Sequence, residues 1–298
     1  MEEPKSAIHH WWPRVVSQHW KGNDGYVGAI RSDNGHFRTQ HGKLGGIKNA
    51  HMLKLGAEGQ SSPFDHSFEK IYDDSDANFP RIIKEIKAIA KMWMETSPPV
   101  DTFQPVLASP WLEKKLAQSL ASLCLRGPMN RFMALDTAMR MRNGQISPRE
   151  QKAIIGHNIM FSLEEYTQHM SGRGKVGLLI SPDREFIYGD GFYHTLTSQA
   201  NINIFAKMIV PLTPQISIAY IMPSKYQPEP MFFASQISSN VTVQLNQAVE
   251  IYAKNELLYS NEHPEPSDYF YANKHLEYED YNNPATHIIR QIPGVIEL

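Results

Sequence analysis

The sequence predicts an α+β fold, in which a helical block in the middle of the chain packs on a mainly antiparallel sheet formed largely by the carboxy-terminal half. Apolar residues at helical spacing dominate residues 62–172. Short apolar runs typical of strands dominate the chain beyond residue 174, and the turns between them are too short for crossover helices. Helices and strands that are segregated along a chain favour α+β over a doubly wound sheet.

Composition and charge bound the class of protein. The 298 residues fit one large domain, so we expect a single domain over 1–298, with the helix-rich part inserted between an N-terminal β-containing segment and the C-terminal sheet. Cys124 is the single cysteine, which excludes an intrachain disulfide. No signal peptide and no run of ~20 apolar residues is present, so we expect a cytoplasmic protein that does not enter a membrane. The net charge of −2 argues against a nucleic-acid coat protein but not against a local basic cleft.

The first third of the chain begins with a stretch rich in histidine and tryptophan at residues 8–20. Two short strands are predicted at 26–30 and 35–40, with glycine-marked loops around them. A serine, proline and acid at 62–65 predict the start of a helix, and 76–80, which ends in a proline, predicts a break between two helices.

Helix boundaries in the middle third have clear capping signals. Ser109-Pro110 predicts a helix start, Gly127-Pro128 a stop, and Ser147-Pro148-Arg149-Glu150 a capping box. In the last third, strands are predicted at 176–180, 185–188, 208–212, 216–222 and 231–234, the first two as a hairpin, and a helix at 240–255.

Five short motifs occur in the same order as in a known family. They are His10-Trp11-Trp12-Pro13-Arg14, Arg126-Gly127-Pro128, the strand end at 186–190, the turn at 210–214, and Asn246 within a helix. In this order the chain resembles the bacterial and phage-borne family called domain of unknown function 4238. The resemblance implies a shared fold and a setting in bacterial or phage conflict, and the family's name assigns no activity.

The residues carried over from the family's motifs are candidates for a catalytic site: His10, Arg14, Arg126, Asp190 and Asn246. The family usually reads serine, aspartate, asparagine, proline where this chain reads Gly189-Asp190-Gly191-Phe192, so two polar or turn-setting positions differ.

The first candidate constellation joins His9, His10, Arg14 and His19 with Asp190. Histidine acts as acid or base near neutral pH, and arginine offers a fork of donors to phosphate. Asp190 is expected to orient the histidine or to bind Mg²⁺, and Arg126 to hold phosphate. We therefore expect a hydrolase of nuclease or phosphodiesterase type, with nucleic acid or a nucleotide as its substrate.

Other interpretations stay open. The histidines are also explained as half-buried residues bonded to backbone carbonyls, and Asp190 as the cap of a turn. Glu165 and His169, one helical turn apart, are a candidate pair of metal ligands or a solvated helix face. A protein without enzymatic activity is the alternative: an adaptor or toxin component that binds a protein partner through the aromatic amino-terminal stretch and the tyrosine-rich tail.

Overall fold

Four of the α-helices in the described ranges begin at a residue whose side chain caps them. A computed structural model describes residues 8–53, 65–196, 206–222, 225–272 and 283–296. Ser109 Oγ accepts from the Leu112 amide, and Ser147 and Glu150 cap each other reciprocally, as predicted. The α-helices are α1 Arg14–Ser17, α2 Asp73–Met94, α3 Pro110–Arg126, α4 Pro128–Met141, α5 Pro148–Met170, α6 Ser239–Tyr252, α7 Asp268–Tyr271 and α8 Pro284–Arg290.

The strands are short in the amino-terminal part and longer beyond residue 174. They are β1 Ile8–His10, β2 Val27–Arg31, β3 His36–Thr39, β4 Gly46–Lys48, β5 Met52–Leu53, β6 His66–Ser67, β7 Gln104–Pro105, β8 Lys175–Ile180, β9 Tyr188–Gly189, β10 Ala206–Thr213, β11 Ile216–Met222, β12 Lys225–Tyr226, β13 Phe232–Gln236, β14 Glu256–Tyr259 and β15 Val295–Ile296. With the helices between them, these strands confirm the α+β prediction.

A five-stranded sheet in the order β10-β11-β8-β13-β7 forms the centre. Its pairs are antiparallel except for β13 and β8, which run parallel. Every residue of β8, β10 and β11 is buried, and α2, α3 and α8 contact the sheet. Both faces are therefore covered, which explains why these strands read as continuous apolar runs and not as alternating ones.

A second, antiparallel sheet in the order β3-β2-β14-β9 joins strands of the first 40 residues to strands of the carboxy-terminal half. The predicted hairpin between the strands at 176–180 and 185–188 is wrong, because β9 pairs with β14, and β8 pairs with β11 and β13. The chain leaves the central sheet after β8, where the Phe186 amide donates to the Pro214 carbonyl and Ile187 is held by Asn246.

The helix break predicted at 76–80 is also wrong. Pro80 lies inside α2 on an exposed position, and Phe79, Ile82 and Ile83 beside it are buried. Proline removes one backbone bond, but the buried face holds the helix in one piece. Of the helix start predicted at 62–65, residues 62–64 lie outside the described residues, and Asp65 precedes the strand β6.

An aromatic cluster of Trp11, Trp12, Trp20 and Tyr188 fixes the amino-terminal stretch against the carboxy-terminal half. The rings of Trp12 and Tyr188 lie 4.8 Å apart, and those of Trp20 and Tyr188 lie 5.3 Å apart, edge to face. Trp20 also donates its indole N–H to the Leu212 carbonyl. All three tryptophans are buried. The expectation that the amino-terminal aromatic residues form an exposed binding surface is therefore wrong.

None of the helices in the described ranges has the length and apolar composition that crossing a bilayer requires. In the tail, Phe270 is buried and Tyr269 is half exposed, while Tyr278 and Tyr281 lie outside the described residues.

Gly191→Ala tests the packing that follows β9. A Cβ at Gly191 would lie 2.0 Å from the Tyr252 carbonyl oxygen and 2.3 Å from Met129 Cβ. We expect the variant to lose about 3 kcal/mol of unfolding free energy, as overpacked cores do. Gly42→Ala is the control, since its Cβ meets only Arg14 Nε at 3.8 Å. Urea denaturation of both variants is the measurement, and equal stability of the two would contradict this packing.

Candidate functional site

Three of the five candidate residues line one cavity. His10, Arg14 and Arg126 border a cavity of about 300 Å³ together with His51, Tyr72 and the carboxylates of Glu69, Asp73 and Asp76. These residues come from β1, α1, the end of α3, the loop before β5, and the start of α2 with the short turn preceding it. Segments distant in sequence thus build one polar concavity.

His10 is held in a defined orientation with one nitrogen free. It ends β1, whose backbone pairs with β4, and its Nδ1 donates to the Leu44 carbonyl oxygen at 3.2 Å. Because a carbonyl only accepts, Nδ1 carries the proton and Nε2 of the neutral ring is an acceptor. Within the described residues Nε2 has no partner, so the ring is set up as a base.

Arg14 supplies an uncommitted positive charge at the edge of the same cavity. It is the first residue of α1, four positions after His10, and it is exposed. No carboxylate in the described part of the chain pairs with its guanidinium. The fork of donors is therefore available to an anionic ligand.

Arg126, by contrast, is committed to protein partners. The residue is 0 % exposed, and its Nη1 and Nη2 donate to the two carboxylate oxygens of Asp76 at 3.2 and 2.6 Å. Its Nη2 also donates to Ser122 Oγ and its Nε to the Ser122 carbonyl, and the guanidinium lies 4.4 Å from the Tyr72 ring centroid. The expectation that Arg126 grips phosphate is corrected: it positions Asp76 and Tyr72 in the cavity wall.

The remaining charges of the cavity come from the start of α2 and the turn before it. Glu69 lies 3.3 Å from His9 Nε2, and His9 Nδ1 accepts the His51 amide. His9 is thus a buried residue that supports the wall. Asp73 and Asp76 belong to the first turn of α2, where the positive end of the helix dipole stabilises negatively charged side chains.

His51 and Tyr72 were missed by the sequence analysis and are the least satisfied polar residues of the lining. They are 1 % and 2 % exposed, and neither ring nitrogen of His51 nor the Tyr72 hydroxyl has a hydrogen-bond partner among the described residues. Burial, and then Arg131 and Arg126, lower the pKa of His51 to about 2, so the ring is neutral. Each stands alone in the sequence, outside any motif, so only the fold identifies them.

Asp190 lies outside this cavity and has a structural role. It is 1 % exposed, and its carboxylate accepts the Lys254 and Asn255 amides at 2.6 and 2.9 Å and the Asn255 side-chain amide at 2.9 Å. Burial raises the pKa of Asp190 to about 6, against the opposing effect of these three donors. The expectation that Asp190 orients His10 is corrected, since Leu44 does so; the interpretation of Asp190 as the cap of a turn fits this geometry.

Asn246 is also a structural residue. Its Oδ1 accepts the Ile187 amide and its Nδ2 donates to the Glu185 carbonyl. The side chain thus makes the backbone hydrogen bonds that a neighbouring strand would otherwise make with residues 185–187. It borders a different, larger cavity of about 450 Å³, where Glu250 and Glu262 contribute carboxylates. Asn246 therefore lies outside the cavity of His10, and its catalytic role stays a prediction.

The other candidates are dispersed. His19 faces α2, where burial and Lys87 lower its pKa to about 4. His169 Nδ1 is bonded to the Glu165 carbonyl at 2.8 Å, and its distance to the Glu165 carboxylate is 4.0 Å. No group of three or more histidine, cysteine, aspartate or glutamate side chains in the described ranges is arranged to hold a metal ion.

Asp190→Ala is expected to unfold the protein more easily. Removing the carboxylate leaves the partly buried backbone N–H groups of Lys254 and Asn255 without this acceptor, and the loss of such a bond costs ~1–3 kcal/mol. We expect the free energy of unfolding, measured by urea denaturation, to fall by about 2 kcal/mol. Asp183→Ala, at an exposed position nearby, is the control and should change stability by less than ~0.5 kcal/mol. A stable Asp190→Ala variant would refute this role.

His51 is expected to make the fold acid-sensitive. Its pKa is lowered from 6.5 in the unfolded chain to about 2, so below pH 6.5 the unfolded chain binds the proton and the folded protein does not. Stability therefore falls as pH falls, by ~1.4 kcal/mol per pH unit from this group. In His51→Phe the decline between pH 6 and 4.5 should be shallower by that amount, measured by urea denaturation. Identical slopes would contradict the buried neutral ring.

Comparisons with known proteins do not assign a function, so the proposal below is based on the geometry of the cavity. No family model, no curated protein and no solved structure matches the chain. The resemblance to domain of unknown function 4238 stays a prediction.

Proposed function

We propose that the protein is a hydrolase of phosphate esters, of phosphodiesterase or nuclease type, with its active site in the cavity lined by His10 and Arg14. The single observation that carries the proposal is the free Nε2 of His10 in a concave site that also holds an unpaired guanidinium. An oriented imidazole can act as the general base of phosphate-ester hydrolysis, and a neighbouring guanidinium can stabilise the negative charge on the phosphate.

In the proposed reaction, His10 Nε2 removes a proton from the attacking water. The water oxygen bonds to phosphorus, the bond from phosphorus to the leaving oxygen breaks, and that oxygen takes a proton from solvent at the open side of the cavity. Arg14 balances the charge that develops on the phosphoryl oxygens. Arg126 acts through Asp76 and Tyr72, which it holds in place, and is a positioning residue.

Two finer expectations stay predictions. Mg²⁺ is one, and the proposal assigns it no ligand because the described residues group no three metal-ligating side chains. A role in bacterial or phage conflict, including that of a toxin component, rests on the family resemblance alone. The alternative, an adaptor, requires exposed aromatic residues in the amino-terminal stretch, but Trp11, Trp12 and Trp20 are buried.

His10→Asn is the direct test of the hydrolase. The asparagine amide reproduces the Nδ1–H bond to Leu44 and removes Nε2, so the fold is kept and the base is lost. We expect the rate to fall by ~10²–10⁴-fold, the usual contribution of a general base. The measurement is turnover of a panel of single-stranded RNA, DNA and nucleotide esters, with and without divalent cations.

His169→Asn is the matched control, because His169 also bonds a backbone carbonyl through Nδ1 but lies on α5, outside the cavity lining. It should retain the wild-type rate. The proposal fails if the wild-type protein turns over no phosphate ester, or if His10→Asn is as active as the wild type.

A further inference from the structure

Three polar atoms in the wall of the His10 cavity are buried and have no hydrogen-bond partner among the described residues. Both nitrogens of His51 and the hydroxyl of Tyr72 are shielded from water and unpartnered among the described residues, although both residues line the cavity. Buried polar groups are almost always bonded, and each exception requires an explanation.

Arg131 stands directly behind this wall with a charge that no carboxylate compensates. Its Nη1 donates to the Ala50 carbonyl, next to His51, and its Nε donates to the Arg126 carbonyl. Its Nη2 is buried and unpaired, and no acid in the described ranges lies within ion-pairing distance. A buried, unneutralised guanidinium is costly for an empty protein and favours an anionic ligand.

We infer that His51 and Tyr72 form an oxyanion subsite on the wall of the cavity, which binds a terminal phosphate of the substrate, with Arg131 behind them as a source of positive charge. The subsite offers an N–H of the neutral imidazole and an O–H, which are donors that a phosphate group accepts. The assignment of the substrate rests on the proposed function. Phosphate binding by the subsite does not, because it is inferred only from the unpaired groups of the cavity wall.

The size and charge of the cavity restrict what carries this phosphate. A volume of about 300 Å³ is at the lower end of the range in which proteins enclose small molecules. Glu69 and Asp73 border the same space and repel a strand with a phosphate at every position, while the charge of Asp76 is balanced by Arg126. The substrate unit is therefore a mononucleotide-sized ester or the phosphorylated end of a short strand, with hydroxyl groups facing the carboxylates.

Binding of inorganic phosphate, measured by isothermal titration calorimetry, tests the subsite without requiring turnover. Tyr72→Phe removes only an unpaired hydroxyl, so the fold loses no bond, and we expect the phosphate Kd to rise about tenfold. His51→Phe is the second variant, with the same expectation. Tyr188→Phe is the matched control, because Tyr188 also has a buried, unpaired hydroxyl but is not part of the lining, and its Kd should equal that of the wild type.

Turnover of a dinucleotide with and without a 5′-terminal phosphate tests the substrate class. We expect the phosphate to raise kcat/KM at least tenfold in the wild type and to have no effect in Tyr72→Phe. His10→Asn should lower both rates while leaving the Kd for inorganic phosphate unchanged.

The two proposals fail separately. Phosphate binding that depends on Tyr72 and His51, without hydrolysis of any ester, supports the subsite and overturns the hydrolase. Hydrolysis that requires His10, with a phosphate Kd that is the same in the wild type, Tyr72→Phe and His51→Phe, overturns the subsite and leaves the hydrolase standing. Equal weakening in Tyr188→Phe also overturns the subsite.

Discussion

The burial of Trp11 and Trp12 is the constraint on which the site depends. These rings pack against Tyr188 in the carboxy-terminal half, and Trp20 closes the cluster from its edge. Burying aromatic surface of this extent is among the largest single gains in a core. His10 directly precedes this pair and Arg14 follows it by two residues, so anchoring the tryptophans fixes where the base and the cation lie.

A second constraint sets the opposite wall. Arg126 is fully buried, and a close carboxylate with filled donors offsets the cost of burying a guanidinium. Asp76 and Ser122 meet that need and tie the start of α2 to the end of α3. Tyr72 is stacked on the same guanidinium and is thereby held at the cavity. The inner wall thus has rigid supports, although three of its own polar groups remain unpaired.

Local signals predicted much of the fold. The caps at Ser109 and Ser147 depend on residues within one helical turn, and the apolar runs of the central sheet depend on burial of both strand faces, so neighbours in sequence were sufficient. The hairpin after β8 failed because Asn246, from a helix about 60 residues later, replaces the expected strand contact. The break at Pro80 failed because the buried face of α2 outweighs one missing bond.

The sequence predicted only those residues of the candidate site that lie close together in one short motif. His10 and Arg14 share a five-residue element, and their common cavity follows from that spacing. Asp190 resembled a cleft residue because it follows a strand and precedes a glycine, but its partners are the Lys254 and Asn255 amides, 64 and 65 positions away. His51 and Tyr72 carry no local signal, since what distinguishes them is the absence of a partner in three dimensions.

The proposed chemistry depends on His10 presenting the acceptor Nε2 of its Nδ1–H tautomer to an anion-binding cavity. Long-range ¹H–¹⁵N NMR of the histidine side chains, at neutral pH and with increasing inorganic phosphate, reports both the tautomer and the response to the anion. We expect the Nδ1–H tautomer for His10 and a shift of its Nε2 resonance as phosphate binds. An Nε2–H tautomer, or a His10 signal that phosphate leaves unchanged at saturation, would contradict it.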